Sequence, residues 1–220
     1  MIDQTSEGRR GFILEHTRLE RPPHTPEIAL HLATEITPIW KLTEEALEAM
    51  GLAPPFWAFA WAGGQALARY ILDNPTLVVG RAVVDFASGS GIVGIAAARA
   101  GAGSVLCADI DGFCGDAAAL NAAVNGVAVD VTDANLLDAP APAVDVILAA
   151  DICYEKPLAE RVMAWLKAAQ GAGATVLIGD PGRSYFPKTG LKKLAEYQVP
   201  TTRELEDQEV KKTAVWTLAD

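Results

Sequence analysis

Val83-Val-Asp-Phe-Ala-Ser-Gly-Ser-Gly-Ile-Val-Gly94 decides the fold, because this stretch has the pattern of a buried strand, a glycine turn and the start of a helix. Gly89, Gly91 and Gly94 have the G-x-G-x-x-G spacing. Glycine adopts backbone angles closed to other residues and lets a ligand approach the main chain. The next apolar run ends at Asp109, where a carboxylate can accept both hydroxyls of a ribose. The stretch therefore predicts a site for an adenosine-containing ligand.

An acidic residue in front of the glycines distinguishes between adenosine ligands. In nicotinamide and flavin sites the loop lies against a pyrophosphate. Asp85 stands four residues before Gly89, where its carboxylate would repel a pyrophosphate. It would suit a positively charged ligand, such as S-adenosylmethionine with its amino group and sulfonium. The sequence therefore favours S-adenosylmethionine, with a tight turn that binds no ligand as the alternative.

Composition limits the classes of function. The chain has 220 residues, 50% of them hydrophobic, which is the size of one domain with a large core. A net charge of −10 without a basic tract argues against binding a nucleic-acid backbone and is compatible with a basic partner. No apolar run approaches the ~18 residues of a membrane span, and none resembles a signal peptide. The three cysteines lack metal-ligand spacing, so we expect a reduced, cytoplasmic protein without a metal.

The amino-terminal part differs from the rest of the chain. Residues 1–50 are predicted to form an extension with short helices, and residues 51–220 the cofactor-binding domain. Residues 1–26 are polar and contain three prolines, so we expect a mobile or loosely draped start. Thr43–Met50 has the pattern of a short helix capped by Thr43.

Four aromatic residues, Phe56, Trp57, Phe59 and Trp61, stand just before a glycine pair that is predicted to open a helix. Phe56 and Phe59 are expected to pack under the sheet. Trp57 and Trp61 precede the helix start, where a flat indole can wall a ligand pocket. Trp61 is therefore the candidate for contact with cofactor or substrate.

Strand and helix patterns alternate five times along the chain and predict an open, mostly parallel sheet with helices on both faces. Residues 143–150 form an almost unbroken apolar run, as expected of a buried parallel strand. Leu191–Tyr197 has the pattern of a last helix. Residues 201–205 and 210–218 then read as an antiparallel pair at the sheet edge.

An aspartate follows each of the five predicted parallel strands: Asp85, Asp109, Asp133, Asp151 and Asp180. Ligands of such sheets bind outside the carboxyl ends of the strands. Five acids on one rim therefore predict a site there. Asp133 is a candidate for contact with an adenine, and capping of a turn is the alternative.

These motifs resemble the class I, seven-stranded S-adenosylmethionine-dependent methyltransferases. More narrowly, the chain resembles the family-16 protein-lysine methyltransferases, which carry Asp-x-x-Tyr or Asp-x-x-Phe after the fourth strand, here Asp151–Tyr154. The run Pro54–Leu67 and the sequence Gly179-Asp-Pro-Gly-Arg183 are similar to the branch that methylates lysines of the electron transfer flavoprotein β subunit. One departure is the alanine and serine before Gly89, where many relatives have cysteine or threonine.

The resemblance implies an α/β fold, a doubly wound, mostly parallel, seven-stranded Rossmann-like sheet with a C-terminal antiparallel hairpin. It implies S-adenosylmethionine as cofactor, with S-adenosylhomocysteine as product, and the electron transfer flavoprotein β subunit as protein substrate. Asp151 and Tyr154 are the implied catalytic residues. The cofactor-binding candidates are Trp61, Asp85, Ala87, Gly89, Gly91, Asp109, Asp133 and Ala150.

Physical chemistry suggests how the two catalytic candidates act. A lysine amine attacks a methyl group only when neutral, yet its free pKa is ~10.4. Desolvation among aromatic rings lowers that pKa, whereas a carboxylate raises it but can orient the amine. We therefore assign Asp151 to positioning and Tyr154 to the wall of a lysine channel, where its ring attracts the methylated cation. A helix cap and a core tyrosine are the alternative roles.

Three questions stay open at the level of sequence. Arg183 either docks an acidic feature of the protein substrate or pairs with Asp180 at the surface. The methylated amine either belongs to the flavoprotein subunit or to a ribosomal protein or small molecule. A non-catalytic, cofactor-binding regulatory module is a further alternative.

Overall fold

The computed structural model describes residues 3–34, 39, 53–201 and 208–219. Within these residues, seven strands form one central sheet, and two short strands pair separately near the amino terminus. No helix in the described ranges is both long and apolar enough to cross a bilayer. The elements in chain order are α1 (Ser6–His16), β1 (Arg18–Glu20), β2 (Leu30–Leu32), α2 (Ala62–Asp73), β3 (Ala82–Phe86), α3 (Ile92–Arg99), β4 (Ser104–Ala108), α4 (Gly112–Val124), β5 (Asp130–Thr132), β6 (Val146–Ala150), α5 (Lys156–Gly171), β7 (Thr175–Asp180), β8 (Leu191–Pro200) and β9 (Val210–Leu218).

The sheet has the strand order β5-β4-β3-β6-β7-β9-β8. The first five strands are parallel, and β9 and β8 complete the sheet in antiparallel pairs. Successive side chains alternate between two buried clusters: Leu148 packs on the side of α2, α3 and α4, and its neighbour Ile147 on the side of α5. Both faces of β6 are therefore covered, which explains its continuous apolar sequence. The fold prediction is confirmed.

The turn between β3 and α3 depends on glycine and on a buried carboxylate. Gly91 has a φ of 78°, and a Cβ at this position would lie 2.8 Å from the Cβ of Ala118 in α4. Asp85 is 1% exposed, and its Oδ2 accepts a hydrogen bond of 2.7 Å from the backbone N–H of Gly94. The carboxylate thus ties the strand to the first turn of the helix that follows.

The prediction of a mobile start over residues 1–26 is wrong for the described residues. Thr5 caps α1 by accepting from the backbone N–H of Gly8, and Phe12 and Ile13 are buried. The carboxylate of Asp116 in α4, itself 6% exposed, receives hydrogen bonds from basic side chains of α1. The prolines lie after this helix and leave it intact, so composition alone misjudged the segment.

Of two further helix predictions, one lies outside the described residues and the other is wrong. The helix predicted at Thr43–Met50 lies outside them, so the division of the chain near residue 50 stays a prediction. The helix predicted at Leu191–Tyr197 is wrong, because this segment belongs to β8. A register shift between Lys193 and Ala195 interrupts the strand pairing, and apolar residues three apart therefore imitate a helical period.

The predicted antiparallel pair is correct for one strand only. Val210–Leu218 is β9, which pairs with Leu191–Pro200, whereas its predicted partner was residues 201–205. Of that predicted partner, residues 202–205 lie outside the described part of the chain. β9 is inserted between β7 and β8, so β8 forms the edge of the sheet.

The close approach of α2 to β7 makes glycine necessary at the contact. A Cβ on Gly179 would overlap the backbone of Gly63 and lie 2.9 Å from the Cβ of Leu67. We expect Gly179→Ala to lower the free energy of unfolding by about 2 kcal/mol or more, as overpacking does. Chemical denaturation followed by circular dichroism measures the change.

The control for this substitution is Gly171→Ala at the end of α5, where a Cβ meets nothing within 4 Å. Alanine is the better helix former, so this change should stabilise by at most about 1 kcal/mol. Equal effects of the two substitutions would contradict the account of the α2–β7 contact.

The carboxyl group of Asp85 should make stability depend on pH. Burial raises its pKa to about 8 from a model-compound value of 3.8. Between these values the folded state holds a proton that the unfolded state releases, so the free energy of unfolding falls as pH rises, by up to ~1.4 kcal/mol per pH unit. In Asp85→Asn the part of this fall that Asp85 causes should be absent, while the amide oxygen can still accept from the backbone N–H of Gly94.

Urea titrations of the cofactor-free wild type and Asp85→Asn protein between about pH 5 and pH 8 measure this difference. The variant should show the shallower dependence, by about one proton. Parallel curves would mean that Asp85 has the same pKa in the folded and unfolded chain.

Candidate active site

A cavity of about 570 Å³ opens at the carboxyl ends of the parallel strands. Its volume is typical of pockets that hold a small ligand. Seven of the residues predicted from sequence line it: Trp61, Ala87, Gly89, Asp109, Ala150, Asp151 and Tyr154. The cavity therefore brings together the glycine loop, the acid after β4 and the Asp-x-x-Tyr motif.

Asp109 joins the glycine loop to the start of α4. Its Oδ2 accepts a hydrogen bond of 3.0 Å from the backbone N–H of Gly89, and its Oδ1 accepts one of 3.1 Å from Asp111. Asp111 in turn caps α4 by accepting from the backbone N–H of Phe113. Because each carboxylate oxygen can accept more than one bond, Asp109 keeps lone pairs for a ligand in the cavity.

The turn after β5 forms the far wall of the cavity. Ala134, Asn135, Leu136 and Leu137 line it, whereas Asp133 is exposed and is not among the lining residues. Asn135 stabilises the turn, since its Oδ1 accepts from the backbone N–H of Leu137. The structure thus brings neighbours of Asp133, and not Asp133 itself, to the position predicted for an adenine contact.

Asp85 and Gly91 lie beneath the glycine loop and do not line the main cavity. Asp85 faces a small adjoining pocket of about 40 Å³, which Trp61 and Asp151 also line. Gly91 supplies the left-handed turn before α3. Asp85 therefore contributes to the site in two ways: it holds the end of the glycine loop in place, and it forms part of the wall of this narrow extension.

Asp151 sits at the opposite end of the cavity from Asn135, in an unusual backbone conformation with a φ of 56°. Its Oδ2 accepts a hydrogen bond of 2.9 Å from the backbone N–H of Gly64, in the first turn of α2. Left-handed conformations of residues other than glycine are costly and cluster at functional sites. The conformation turns the carboxylate toward both α2 and the cavity.

Arg183 pairs with Asp151. Its Nη2 lies 2.6 Å and its Nε 3.0 Å from Oδ1 of Asp151, and the two side chains are only 18% and 11% exposed. The guanidinium also lies 5.5 Å from the ring centroid of Trp61, within the range of a cation–π contact. The alternative of a surface arginine whose guanidinium pairs with Asp180 is therefore wrong.

Asp180 organises the turn that carries this arginine. Its Oδ1 accepts from the backbone N–H groups of Gly182 and Arg183, at 2.6 and 2.8 Å. Asp180 is 2% exposed, and its Oδ2 has no hydrogen-bond partner among the described residues. Burial, together with the nearby Asp151 carboxylate, raises the pKa of this carboxyl group to about 7.

Aromatic side chains form the outer wall beside Asp151. Tyr154 is 44% exposed, and its ring centroid lies 5.6 Å from that of Phe56, which is 42% exposed. Phe56 and Tyr154 both line the cavity, so neither is a core residue. Trp61 packs against Phe56 and donates its indole N–H to the backbone oxygen of that residue.

The roles expected for the aromatic cluster are thus partly exchanged. Phe56 was expected under the sheet and lines the cavity, whereas Trp57 is buried and stacks on Phe113. Phe59 is half-buried and packs against the same cluster as Trp57. A short 3-10 turn at Phe56–Ala58 causes the exchange, since adjacent residues on it point to different sides.

Asn135 and Phe56 are two of the lining residues that were not predicted as site residues from sequence. In the turn after β5, only Asp133 was predicted to contact the ligand, and Phe56 was expected to pack in the core. For Asn135 the available signal was its place before an apolar pair, where it caps a turn. Among the described residues, no three His, Cys, Asp or Glu side chains are grouped as a metal site requires.

Comparison with known proteins agrees with this geometry. Residues 66–177 match the family model described as ribosomal protein L11 methyltransferase (PrmA). The solved structure of magnesium protoporphyrin IX methyltransferase from Synechocystis PCC 6803 shares the fold, with a TM-score of 0.52 at 14% identity over 71% of this chain and 78% of that one.

Relatives of higher identity cover nearly the whole chain. The electron transfer flavoprotein beta subunit lysine methyltransferase of Rattus norvegicus is 38% identical over 198 residues, which are 87% of this chain and 76% of the relative. The protein of the same name from Xenopus laevis is 36% identical over 214 residues, which are 94% of this chain and 86% of the relative. With its Asp-x-x-Tyr motif at one end of a cavity built on the glycine loop, the chain belongs to the family of the electron transfer flavoprotein beta subunit lysine methyltransferases.

Proposed function

We propose that the protein transfers methyl groups from S-adenosylmethionine to lysine side chains of the electron transfer flavoprotein β subunit. One observation carries the proposal: Asp109 beside the glycine loop and Asp151 beside an aromatic wall face the same cavity. The first arrangement suits an adenosine, and the second suits an amine. The names of the relatives support the choice of substrate.

The cavity fits the proposed cofactor at each of its parts. Asp109 offers carboxylate oxygens to ribose hydroxyls, and the apolar wall at Leu136 and Leu137 suits an adenine. The carboxyl group of Asp85 and the carboxylate of Asp151 line the narrow extension beside the loop, where the charge of Asp151 suits the ligand's positive charges. When bound, S-adenosylmethionine supplies a methyl group activated by attachment to a sulfonium.

The substrate side of the cavity prepares the amine. The rings of Phe56 and Tyr154 exclude water from a lysine side chain and so favour its neutral form. The carboxylate of Asp151, held by the backbone N–H of Gly64, can accept a hydrogen bond from the amine and direct its lone pair. Proton loss to solvent precedes attack, so the proposal requires no general base.

A second candidate substrate is ribosomal protein L11, because the L11 methyltransferase model matches residues 66–177. The two substrates can be compared in one assay with labelled S-adenosylmethionine and each purified protein.

We also propose a cytoplasmic location, which the three buried cysteines with free thiols support, since reduced thiols persist in a reducing compartment.

Replacement of Asp151 tests the proposed reaction. We expect Asp151→Asn to lower kcat for methylation of the flavoprotein β subunit by about 100-fold or more, because the neutral amide orients the amine poorly and disturbs the local charge balance. Mass spectrometry of intact substrate, followed by peptide mapping, measures the methyl groups and their sites.

The matched control for Asp151→Asn is Asp130→Asn, which changes an exposed carboxylate on β5 that does not line the cavity. Its activity should stay within about twofold of the wild type, as is usual for surface changes. Methylation of L11 in place of the flavoprotein subunit, or no methylation of any protein by the wild type, would contradict the proposed function.

Replacement of Asp109 tests the cofactor end of the cavity separately. We expect Asp109→Ala to weaken binding of S-adenosylhomocysteine by about 10- to 100-fold, because hydrogen bonds to a charged group each contribute ~1.5–3 kcal/mol. Isothermal titration calorimetry measures the affinity. Unchanged affinity would show that the ligand does not use this carboxylate.

A further inference from the structure

Asp151 presents a problem for the reaction proposed above. A carboxylate within about 4–6 Å of an amine stabilises the charged ammonium and raises its pKa. Attack requires the opposite, because an ammonium has no lone pair. The residue that orients the substrate lysine would therefore also hold it in its unreactive form.

The guanidinium of Arg183 removes this conflict. It donates from Nη2 and Nε to the same Asp151 oxygen, and both groups lie largely out of solvent. A guanidinium stays protonated at every pH of interest, so the carboxylate always has a positive charge beside it. A second cation near an amine lowers the pKa of that amine, as nearby carboxylates raise it.

The position of Arg183 is fixed by the fold around it. Asp180 receives the backbone N–H groups of Gly182 and Arg183, which sets the turn after β7. β7 is the neighbour of β6, so this turn lies next to Asp151. The ring of Trp61 receives the guanidinium on its face. An arginine on a mobile loop would not hold this geometry.

We propose that Arg183 is a positioning residue of methyl transfer: its guanidinium balances the charge of Asp151, so that the substrate lysine can shed its proton beside the carboxylate that orients it. The inference rests on the proposed function. One ammonium proton goes to solvent, and the freed nitrogen lone pair forms the C–N bond. The C–S bond breaks, and its electron pair stays on sulfur.

Other ionisable groups around the pair limit how a pH profile can be interpreted. In the described part of the chain, these are Asp180, Cys153 and Tyr154 near the pair, Asp85 in the narrow extension, and Asp109, Asp111, Cys114 and Arg161 elsewhere on the cavity wall. Burial raises the pKa of Cys153 to about 12 and raises the pKa of Tyr154. Asp180 and Asp85, whose pKa values are raised to about 7 and about 8, are groups that can titrate in the working range, and each needs its own control.

The test is the dependence of kcat on pH for wild type, Arg183→Met, Arg183→Lys, Asp180→Asn and Asp85→Asn, because kcat reports ionisations in the enzyme–substrate complex. The Asp85→Asn profile should keep the limb of the wild type, and a limb that moves in this variant and not in Arg183→Met would overturn the inference. We expect Arg183→Met to move the rising, acid-side limb, which reports deprotonation of the substrate lysine, to higher pH by about 1–2 units. Its activity should fall about 10- to 100-fold near pH 7 and recover toward the wild-type value near pH 10. Arg183→Lys keeps a cation and should keep the wild-type limb at reduced activity.

Asp180→Asn retains an oxygen for the two backbone N–H groups, and its profile should keep the limb where the wild type has it. A limb that moves in Asp180→Asn instead, or an equal loss of activity at every pH in Arg183→Met, would overturn the inference. Circular dichroism of each variant shows that the fold is retained.

A second readout needs no turnover. Carbon-13 NMR of aspartate side chains in the free protein should show the pKa of Asp151 rising in Arg183→Met, because the buried carboxylate loses its cation. An unchanged titration of Asp151 would overturn the inference whatever the substrate is. A wild type that methylates no flavoprotein subunit would overturn the proposed function, and with it the reaction that Arg183 is inferred to assist.

Discussion

The close contact between the first turn of α2 and the ends of β6 and β7 is the constraint on which the site depends. Gly63 and Gly179 allow the two backbones to touch. Gly64, which follows Gly63 in α2, then donates its backbone N–H to the carboxylate of Asp151. Since α2 begins directly after Trp61, the same contact places the indole beside Arg183. A larger residue at the contact would move the helix and both of these groups together.

The five aspartates at the carboxyl edge of the sheet occupy similar positions but have different functions. Asp85 and Asp180 are buried, have raised pKa values and hold backbone N–H groups of turns. Asp109 and Asp151 line the cavity, where their oxygens remain accessible to ligands. Asp133 is exposed and outside the cavity wall. The negative charge that faces a cationic ligand is therefore smaller than a count of five aspartates suggests.

Sequence predicted the parts of the structure that local chemistry determines. The order of strand, glycine turn and helix around Gly89 follows from backbone sterics, and Asp109 and Asp151 follow apolar strands whose carboxyl ends must meet at one edge. The errors arise where distant contacts decide. Phe12 is buried only because α4 is present, and the strand that contains Tyr197 is stabilised by pairing with β9. The partner of Arg183 could not be predicted, because Asp151 and Asp180 precede it at adjacent strand ends.

The two kinds of family resemblance bear on different halves of the cavity. The L11 methyltransferase model matches residues 66–177, which include the glycine loop, Asp109 and the Asp-x-x-Tyr motif. Phe56, Trp61 and Arg183, which surround Asp151 on its other sides, lie outside that range. The alignment with the Xenopus relative covers 94% of the chain. Phe56 and Trp61 lie so far from Arg183 that the short uncovered remainder cannot contain all three residues. The broader resemblance thus covers the glycine loop and Asp109, whereas the residues on the other sides of Asp151 lie in parts of the chain that only the longer alignments reach. The charge balance inferred at Asp151 therefore depends on Arg183, a residue outside the range that the L11 methyltransferase model matches, so that broader resemblance alone does not account for it.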